Sequence, residues 1–165
     1  MKLKGKALIG AAGEDYVLYQ LHQRDLLAAP APTGAAIADL LVFDPRMSVG
    51  SMIQVKTTTR ARHWVMTEKN ERQEYVHPRL FYALVDLAEA TPAVFIVPSQ
   101  TVAELLSLTH SLFLATPGRS GQPHVDNPVR SIRPRYSFDV PGYPAGWLDQ
   151  YRDRWDYLTI EPPTG

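Results

Sequence analysis

The sequence predicts a single α/β domain in which a mixed central sheet is flanked by helices. Three observations favour this class. Residues 51–58 alternate polar and apolar side chains with the period of a strand that buries one face. Residues 79–87 and 92–98 are short apolar runs typical of further strands, whereas residues 6–27 and 99–115 carry apolar side chains at helical spacing. Helices packed on a sheet bury all of these faces.

The first predicted helix places a carboxylate on its apolar stripe. Val17, Leu18 and Leu21 follow Glu14 at the i+3, i+4 and i+7 positions. A charged group on such a stripe is destabilising unless an oppositely charged partner lies close to it. Pairing with an arginine and binding of a metal ion explain Glu14 equally well at this point.

Two short apolar runs, residues 37–44 and 51–58, are separated by turn residues and predict an antiparallel hairpin. Asp39 stands near the start of the first strand. On the second strand, Gln54 and Lys56 share the face opposite the apolar one, about 6–7 Å apart along the chain. The hairpin can therefore bring Asp39 beside Gln54 and Lys56.

The remaining segments complete the predicted domain, and no internal repeat or domain boundary divides residues 1–165. We expect a loop at residues 28–34, a third strand at 63–67, an irregular loop rich in Pro, Gly and Arg at 116–144, and a C-terminal helix at 147–158.

Composition argues against several classes of protein. The net charge is zero, from 17 basic and 17 acidic residues, which is unusual for a protein that coats nucleic acid but leaves room for a local basic groove. Without cysteine, no disulfide, thiol catalysis or cysteine-bound zinc is available, and a cytoplasmic location is the default. No apolar run approaches the roughly 18–20 residues of a membrane helix, so no membrane partner is expected.

Taken together, Glu14, Asp39 and the Gln54-Val55-Lys56 segment resemble the signature of the PD-(D/E)XK nuclease superfamily, which includes restriction endonucleases and junction resolvases. More narrowly, the chain resembles a group of small bacterial proteins with a Gln-x-Lys variant of this motif. The matching segments are Gly13-Glu14, Ala38-Asp39-Leu40-Leu41-Val42, Ile53-Gln54-Val55-Lys56-Thr57, His63-Trp64-Val65, Leu80-Phe81-Tyr82, Phe95-Ile96-Val97-Pro98-Ser99 and Arg154-Trp155-Asp156-Tyr157-Leu158.

The resemblance implies a restriction-endonuclease-like core and a nuclease that hydrolyses phosphodiester bonds of DNA with Mg²⁺ or Mn²⁺. It implies that Asp39 is the main metal ligand, joined by the Val55 carbonyl, Gln54 and Glu14, and that Lys56 is the catalytic lysine. In such a site the carboxylates hold a hard cation, which lowers the pKa of a bound water. The lysine orients that water or balances charge on the phosphate.

Gln54 departs from the common form of the motif, which has Glu or Asp at this position. A carboxamide removes one negative charge from the metal site, although some active branches of the superfamily carry Gln there. The alternative is a catalytically inactive nuclease-like module that binds nucleic acid or a protein partner. Many members dimerise to cut two strands, so the resemblance also admits a homodimer.

Two basic segments are candidates for contacts with phosphates. Arg60, Arg62 and Lys69 follow the signature strand and could line a groove. Three glutamates lie between residues 68 and 74, so a solvated helix face is an equally good interpretation of this segment. The loop at 116–144 offers a second basic surface, formed by Arg119, Arg130, Arg133 and Arg135.

Overall fold

The computed structural model describes residues 5–88, 90–118 and 120–160, and it confirms the predicted α/β class. The two helices are α1 (Lys6–His22) and α2 (Ser99–Ala115). The strands are β1 (Leu27–Pro30), β2 (Leu40–Asp44), β3 (Val49–Thr58), β4 (Trp64–Thr67), β5 (Leu80–Asp86), β6 (Ala93–Pro98) and β7 (Val129–Ile132). Short 3₁₀ turns lie at Glu68–Glu71, Gln73–Tyr75, Trp147–Tyr151 and Trp155–Leu158.

Five strands form the central sheet in the order β1-β2-β3-β5-β6. The sheet is mixed, because β3 and β5 run parallel whereas the other neighbours are antiparallel. The predicted hairpin is present as β2 and β3. The predicted third strand, β4, lies outside this sheet and pairs with β7 in a two-stranded antiparallel unit, which we call the β4–β7 ribbon.

The two faces of the central sheet are buried by different elements. On one face, Val17 and Leu21 of α1 pack with Ile53 and Val55 of β3, as the alternation of that strand predicts. On the other face, α2 and the inner side of the β4–β7 ribbon pack against β5 and β6. Strand β5 is buried at every position because both of its faces are covered. Neither described helix is long and apolar enough to cross a membrane.

Two strands occur where loops were expected. Strand β1 begins at the last residue of the predicted helix, runs into the predicted loop at 28–34 and pairs with β2. Its last residue, Pro30, is tolerated because β1 is an edge strand. Strand β7 lies within the predicted irregular loop at 116–144 and exists only as the partner of β4. Both strands have four residues, so their own sequence carries little periodicity.

Two helical boundaries differ from the prediction. Helix α1 ends at His22, ahead of the expected residue 27, because Asp25 has a φ of 58° and Leu26 returns a hydrogen bond to the Leu21 carbonyl. The predicted C-terminal helix is wrong. It is replaced by two 3₁₀ turns, since the chain between them leaves the helical conformation and the Asp153 N–H donates to the Val94 carbonyl of β6.

Helix α1 approaches β3 closely at a glycine. A Cβ atom on Gly13 would lie 1.9 Å from Thr57 Oγ1 and 2.9 Å from Thr57 Cβ, distances that no packed side chain adopts. A residue without a side chain is therefore needed where the helix crosses the strand. The next residue along α1 is Glu14, so this crossing also decides where its carboxylate lies.

We predict that Gly13→Ala lowers the free energy of unfolding by about 1–3 kcal/mol, because the helix must move away from β3 to admit the methyl group. Gly10→Ala is the matched control. It lies in the same helix with nothing within 4 Å of its added Cβ, and should stabilise the protein by about 0.5–1 kcal/mol through helix propensity. Urea unfolding measures both changes, and equal effects of the two substitutions would contradict the close crossing.

Candidate functional site

Asp39 lies where the chain enters β2, and its carboxylate reaches across to β3. The Asp39 backbone N–H donates to the Ile53 carbonyl at 2.8 Å. Asp39 Oδ2 accepts hydrogen bonds from the Val55 backbone N–H at 2.7 Å and from Gln54 Nε2 at 2.5 Å. The hairpin thus places Asp39 beside Gln54. The carboxylate accepts the Val55 N–H of β3, which has no backbone partner on β2 because the pairing of the two strands ends at Ile53.

The Val55 carbonyl belongs to the same edge of β3. The N–H and C=O of one strand residue point to the same side of the strand, and the Val55 N–H points to Asp39. The register between β2 and β3 ends at the Leu40–Ile53 pair. The carbonyl therefore faces the region just beyond the start of β2, where the Asp39 carboxylate lies.

Glu14 is half-buried on α1 and takes part in no ion pair among the residues that the structure describes. Burial raises the pKa of Glu14 above its ordinary value, and the negative charges of Asp39 and Asp15 raise it further, whereas Lys56 lowers it. Glu14 therefore lies in the electrostatic field of both Asp39 and Lys56. Pairing with an arginine, one of the two explanations for its position, is not what the structure shows.

The donor atoms of this site fit a hard divalent cation. Glu14 and Asp39 supply carboxylate oxygens, and a cation between them would relieve the repulsion that raises the Glu14 pKa. Gln54 directs its NH₂ group to Asp39, which leaves the amide oxygen as an acceptor. Oxygen ligands with water completing the shell suit Mg²⁺ or Mn²⁺. In the described part of the chain, no group of three or more acidic or histidine side chains is arranged to hold a metal, so neutral oxygens are needed here.

Gln54 and Lys56 face a cleft of about 400 Å³ between the sheet and the segment that follows β4. Lys56 forms no ion pair with any residue in the described ranges. The opposite wall comes from β4 and the 3₁₀ turns, which sequence reasoning did not connect with the site. The wall residues are Val65, Met66, Thr67, Lys69, Asn70 and Tyr75, and Ala36 from the loop before β2 also lines the cleft.

Asn70 holds this wall in place. Its Oδ1 accepts the Thr67 backbone N–H at 3.0 Å, and its Nδ2 donates to the Tyr82 hydroxyl on β5 at 3.0 Å. A buried side-chain amide that is bonded at both ends fixes the start of the turn against the sheet. The sequence gives no periodic signal for this contact, because it joins a turn to a distant strand.

The basic residues expected to contact phosphates have three different positions. Lys69 lines the cleft, and Arg60 is exposed beyond the end of β3. Arg62 is instead bonded to Asp149 at 2.9 Å, with its guanidinium 5.3 Å from the centre of the Phe95 ring. The structure therefore does not bring Arg62 to the cleft. Its ion-pair partner, Asp149, is distant in the sequence, so the local sequence around Arg62 does not predict this position.

The acidic residues of the same segment are neutralised by arginines. Glu68 and Glu74 pair with Arg72, and Glu71 pairs with Arg130, whose side chain is buried against it. Arg130 thus supports the structure and is withdrawn from the basic surface expected at 116–144, whereas Arg119 lies outside the described residues. The segment is not a solvated helix face, because it consists of two 3₁₀ turns.

The fold is similar to that of a bacterial homing endonuclease, I-Ssp6803I. The TM-score is 0.54, and the match covers 95% of this chain and 93% of that chain at 11% sequence identity. No protein-family model matches the chain, and no curated protein matches its sequence. The similarity extends over nearly all of both chains and confirms the predicted α/β fold with a mixed sheet.

We predict that Glu14→Gln stabilises the metal-free protein at pH 7. The folded-state pKa of Glu14 is raised, so the folded state loses stability as pH rises through the unfolded and then the folded pKa, and the whole loss is present at neutral pH. The substitution removes this loss, so the melting temperature should rise at pH 7 and be unchanged below about pH 4.

Thermal unfolding in the presence of a chelator measures this difference. Glu104→Gln on the exposed side of α2 removes a carboxylate away from the candidate site and is the matched control. A Glu14→Gln protein that is less stable than the wild type at pH 7 would show that the carboxylate has a favourable partner in the folded state.

Proposed function

We propose that this protein is a divalent-metal-dependent nuclease of the PD-(D/E)XK type that hydrolyses phosphodiester bonds of DNA. The observation that carries the proposal is the position of the Asp39 carboxylate. It is held by Gln54 and Val55 at the open edge of β3, in the field of Glu14. The same strand presents Lys56 to a cleft. The similarity of the fold to that of a homing endonuclease supports the same reaction class.

Each side chain has a role that its position supports. When bound, a divalent cation supplies Lewis acidity and a water of lowered pKa. Asp39 and Glu14 balance the cation's charge, while the Val55 carbonyl and the Gln54 amide oxygen provide neutral ligands. Lys56 donates to the attacking water or to a non-bridging phosphate oxygen, where negative charge grows during hydrolysis. Lys69, on the opposite wall, contacts a neighbouring phosphate.

A second candidate, an inactive nuclease-like module that binds nucleic acid, is favoured by one contact. The Gln54 amide already donates to Asp39 Oδ2 at 2.5 Å, so this carboxylate has a partner in the absence of an ion. A module that had lost catalysis could keep this arrangement for its contribution to the hairpin alone. The two candidates differ in whether Lys56 matters for cleavage.

We predict that Lys56→Met lowers the rate of metal-dependent DNA cleavage by about 10²–10³-fold, because the site loses a positioned donor to the developing charge. DNA binding should stay within about threefold, since one phosphate contact contributes little to total affinity. The assay incubates the protein with Mg²⁺ or Mn²⁺ and duplex, single-stranded or branched DNA. Lys6→Met, at the exposed start of α1, removes the same charge and should cleave like the wild type.

Wild-type protein that binds these DNAs without cutting any of them would instead establish the inactive module. Cleavage that persists in Lys56→Met at the rate of Lys6→Met would contradict the role given to Lys56.

We predict that Gln54→Glu lowers the unfolding free energy of the metal-free protein and raises its affinity for a divalent metal ion. The new carboxylate faces Asp39 at the position of a 2.5 Å hydrogen bond, so the variant should lose about 1–3 kcal/mol of unfolding free energy in a chelator. The added charge should then enlarge the rise in melting temperature that Mg²⁺ produces. Gln54→Met is the control, since it removes the donor without adding charge, and should show the loss without the gain. A Mg²⁺-induced rise no larger than that of the wild type would exclude Gln54 from the metal site.

A further inference from the structure

The β4–β7 ribbon has one buried and one uncovered face. On the inner face, Trp64, Met66 and Ile132 are 1%, 1% and 0% exposed. The alternate residues of both strands point away from the core, and the side chains of Val65 and Val129 are 64% and 58% exposed. Two β-branched apolar residues on one strand pair are thus open to solvent. The outer-face positions, including those flanking the paired residues, are His63, Val65, Thr67, Val129, Ser131 and Arg133.

This outer face is continuous with the cleft. Val65 and Thr67 belong both to β4 and to the wall opposite Lys56. In the register of the ribbon, Val65 lies beside Ser131 and Thr67 beside Val129. A ligand lying along the ribbon would therefore pass directly to the candidate site.

The charge of this surface is one-sided. No outer-face position carries an acidic side chain, and the adjoining Glu68 is paired with Arg72. At one end of the ribbon, burial and the positive charges of Arg133 and Arg60 lower the pKa of His63, so both arginines lie close to it. At the other end Lys69 follows β4. Neither Arg60, Arg133 nor Lys69 has an acidic partner within the described ranges.

We propose that the outer face of the β4–β7 ribbon docks in the major groove of duplex DNA. In this position the ribbon would direct the sugar-phosphate backbone of the DNA into the cleft. This inference rests on the proposed function and names the form of its substrate. The major groove is about 12 Å wide and admits a two-stranded ribbon. Four residue pairs span about 10–13 Å.

The chemistry of the face agrees with groove contacts. Valine side chains contact the thymine methyl group, hydroxyls of Ser131 and Thr67 bond to base edges, and Arg133 pairs with guanine. Lys69 and Arg60 at the two ends are placed to contact phosphates. An RNA duplex fits less well, because its major groove is too narrow and deep to admit side chains.

Fluorescence anisotropy with a labelled DNA duplex, in a chelator so that no cleavage occurs, tests the ribbon by itself. Arg133→Ala should weaken binding about 5–10-fold at about 0.1 M salt and relax the preference for guanine at the contacted position. Val129→Glu should weaken it at least as much, because a carboxylate then faces the groove. The controls are Val125→Glu, at a valine that is 82% exposed outside the ribbon, and Arg46→Ala in the β2–β3 turn. Both controls should bind within about twofold of the wild type.

Protection of guanine N7 from methylation reports the groove, because this atom lies in the major groove. The wild type should protect it, and Val129→Glu should not. Among the described residues, Arg46 alone of the substituted side chains takes part in an ion pair. Unfolding curves check that every variant is folded.

Ribbon variants that bind DNA like their controls, while Lys56→Met still lowers the cleavage rate, would overturn the docking of the ribbon and leave the proposed function intact. Equal affinity for an RNA duplex of the same sequence, or binding without N7 protection, would also overturn it. A concentration-dependent dimer that Val129→Glu disrupts without affecting DNA binding would assign this face to a second copy of the chain. A wild type that neither binds nor cuts DNA would end both proposals.

Discussion

The crossing of α1 over β3 at Gly13 is the constraint on which the candidate site depends. Asp39, Gln54 and Lys56 belong to one hairpin and would be neighbours in any fold that contains it. Glu14 comes from a separate helix, and only the close packing of Gly13 on Thr57 brings its carboxylate into the field of the other groups. The Thr57 hydroxyl oxygen lies buried without a hydrogen-bond partner among the described residues, which is the energetic cost of that approach. Packing and chemistry are thus coupled at one residue.

The parts of the fold that sequence reasoning predicted are those with a local signal. The alternation along β3 identified its buried face, and the spacing of Val17 and Leu21 identified the buried side of α1. The elements it missed, β1 and β7, are short edge strands that exist because of a partner elsewhere in the chain. The C-terminal turns have helical spacing in the sequence, but a hydrogen bond to β6 breaks the helix. Local periodicity carries no information about such distant partners.

The same limit applies to the site. The hairpin made the proximity of Asp39 and Gln54 predictable, whereas the opposite wall of the cleft depends on Asn70 bridging to Tyr82. Whether a basic side chain is free to bind phosphate depends on acidic partners that are distant in the sequence, as for Arg62 with Asp149 and Arg130 with Glu71. The glutamates after β4 form ion pairs with Arg72 and Arg130. Although the chain has no net charge, Lys69 therefore lines the cleft without an acidic partner among the described residues. Overall charge is therefore a poor guide to local potential here.

The hydrogen bond from Gln54 to Asp39 also bears on how folding would depend on the proposed metal ion. In a site with a third carboxylate, like charges would face one another until an ion arrived, and part of the folding free energy would come from ion binding. The amide here provides a donor of its own, so the hairpin closes on the polypeptide's own contacts. Under the proposed function, folding of this hairpin would not require the ion. Ion concentration would then change the activity of the folded protein and leave its yield unchanged.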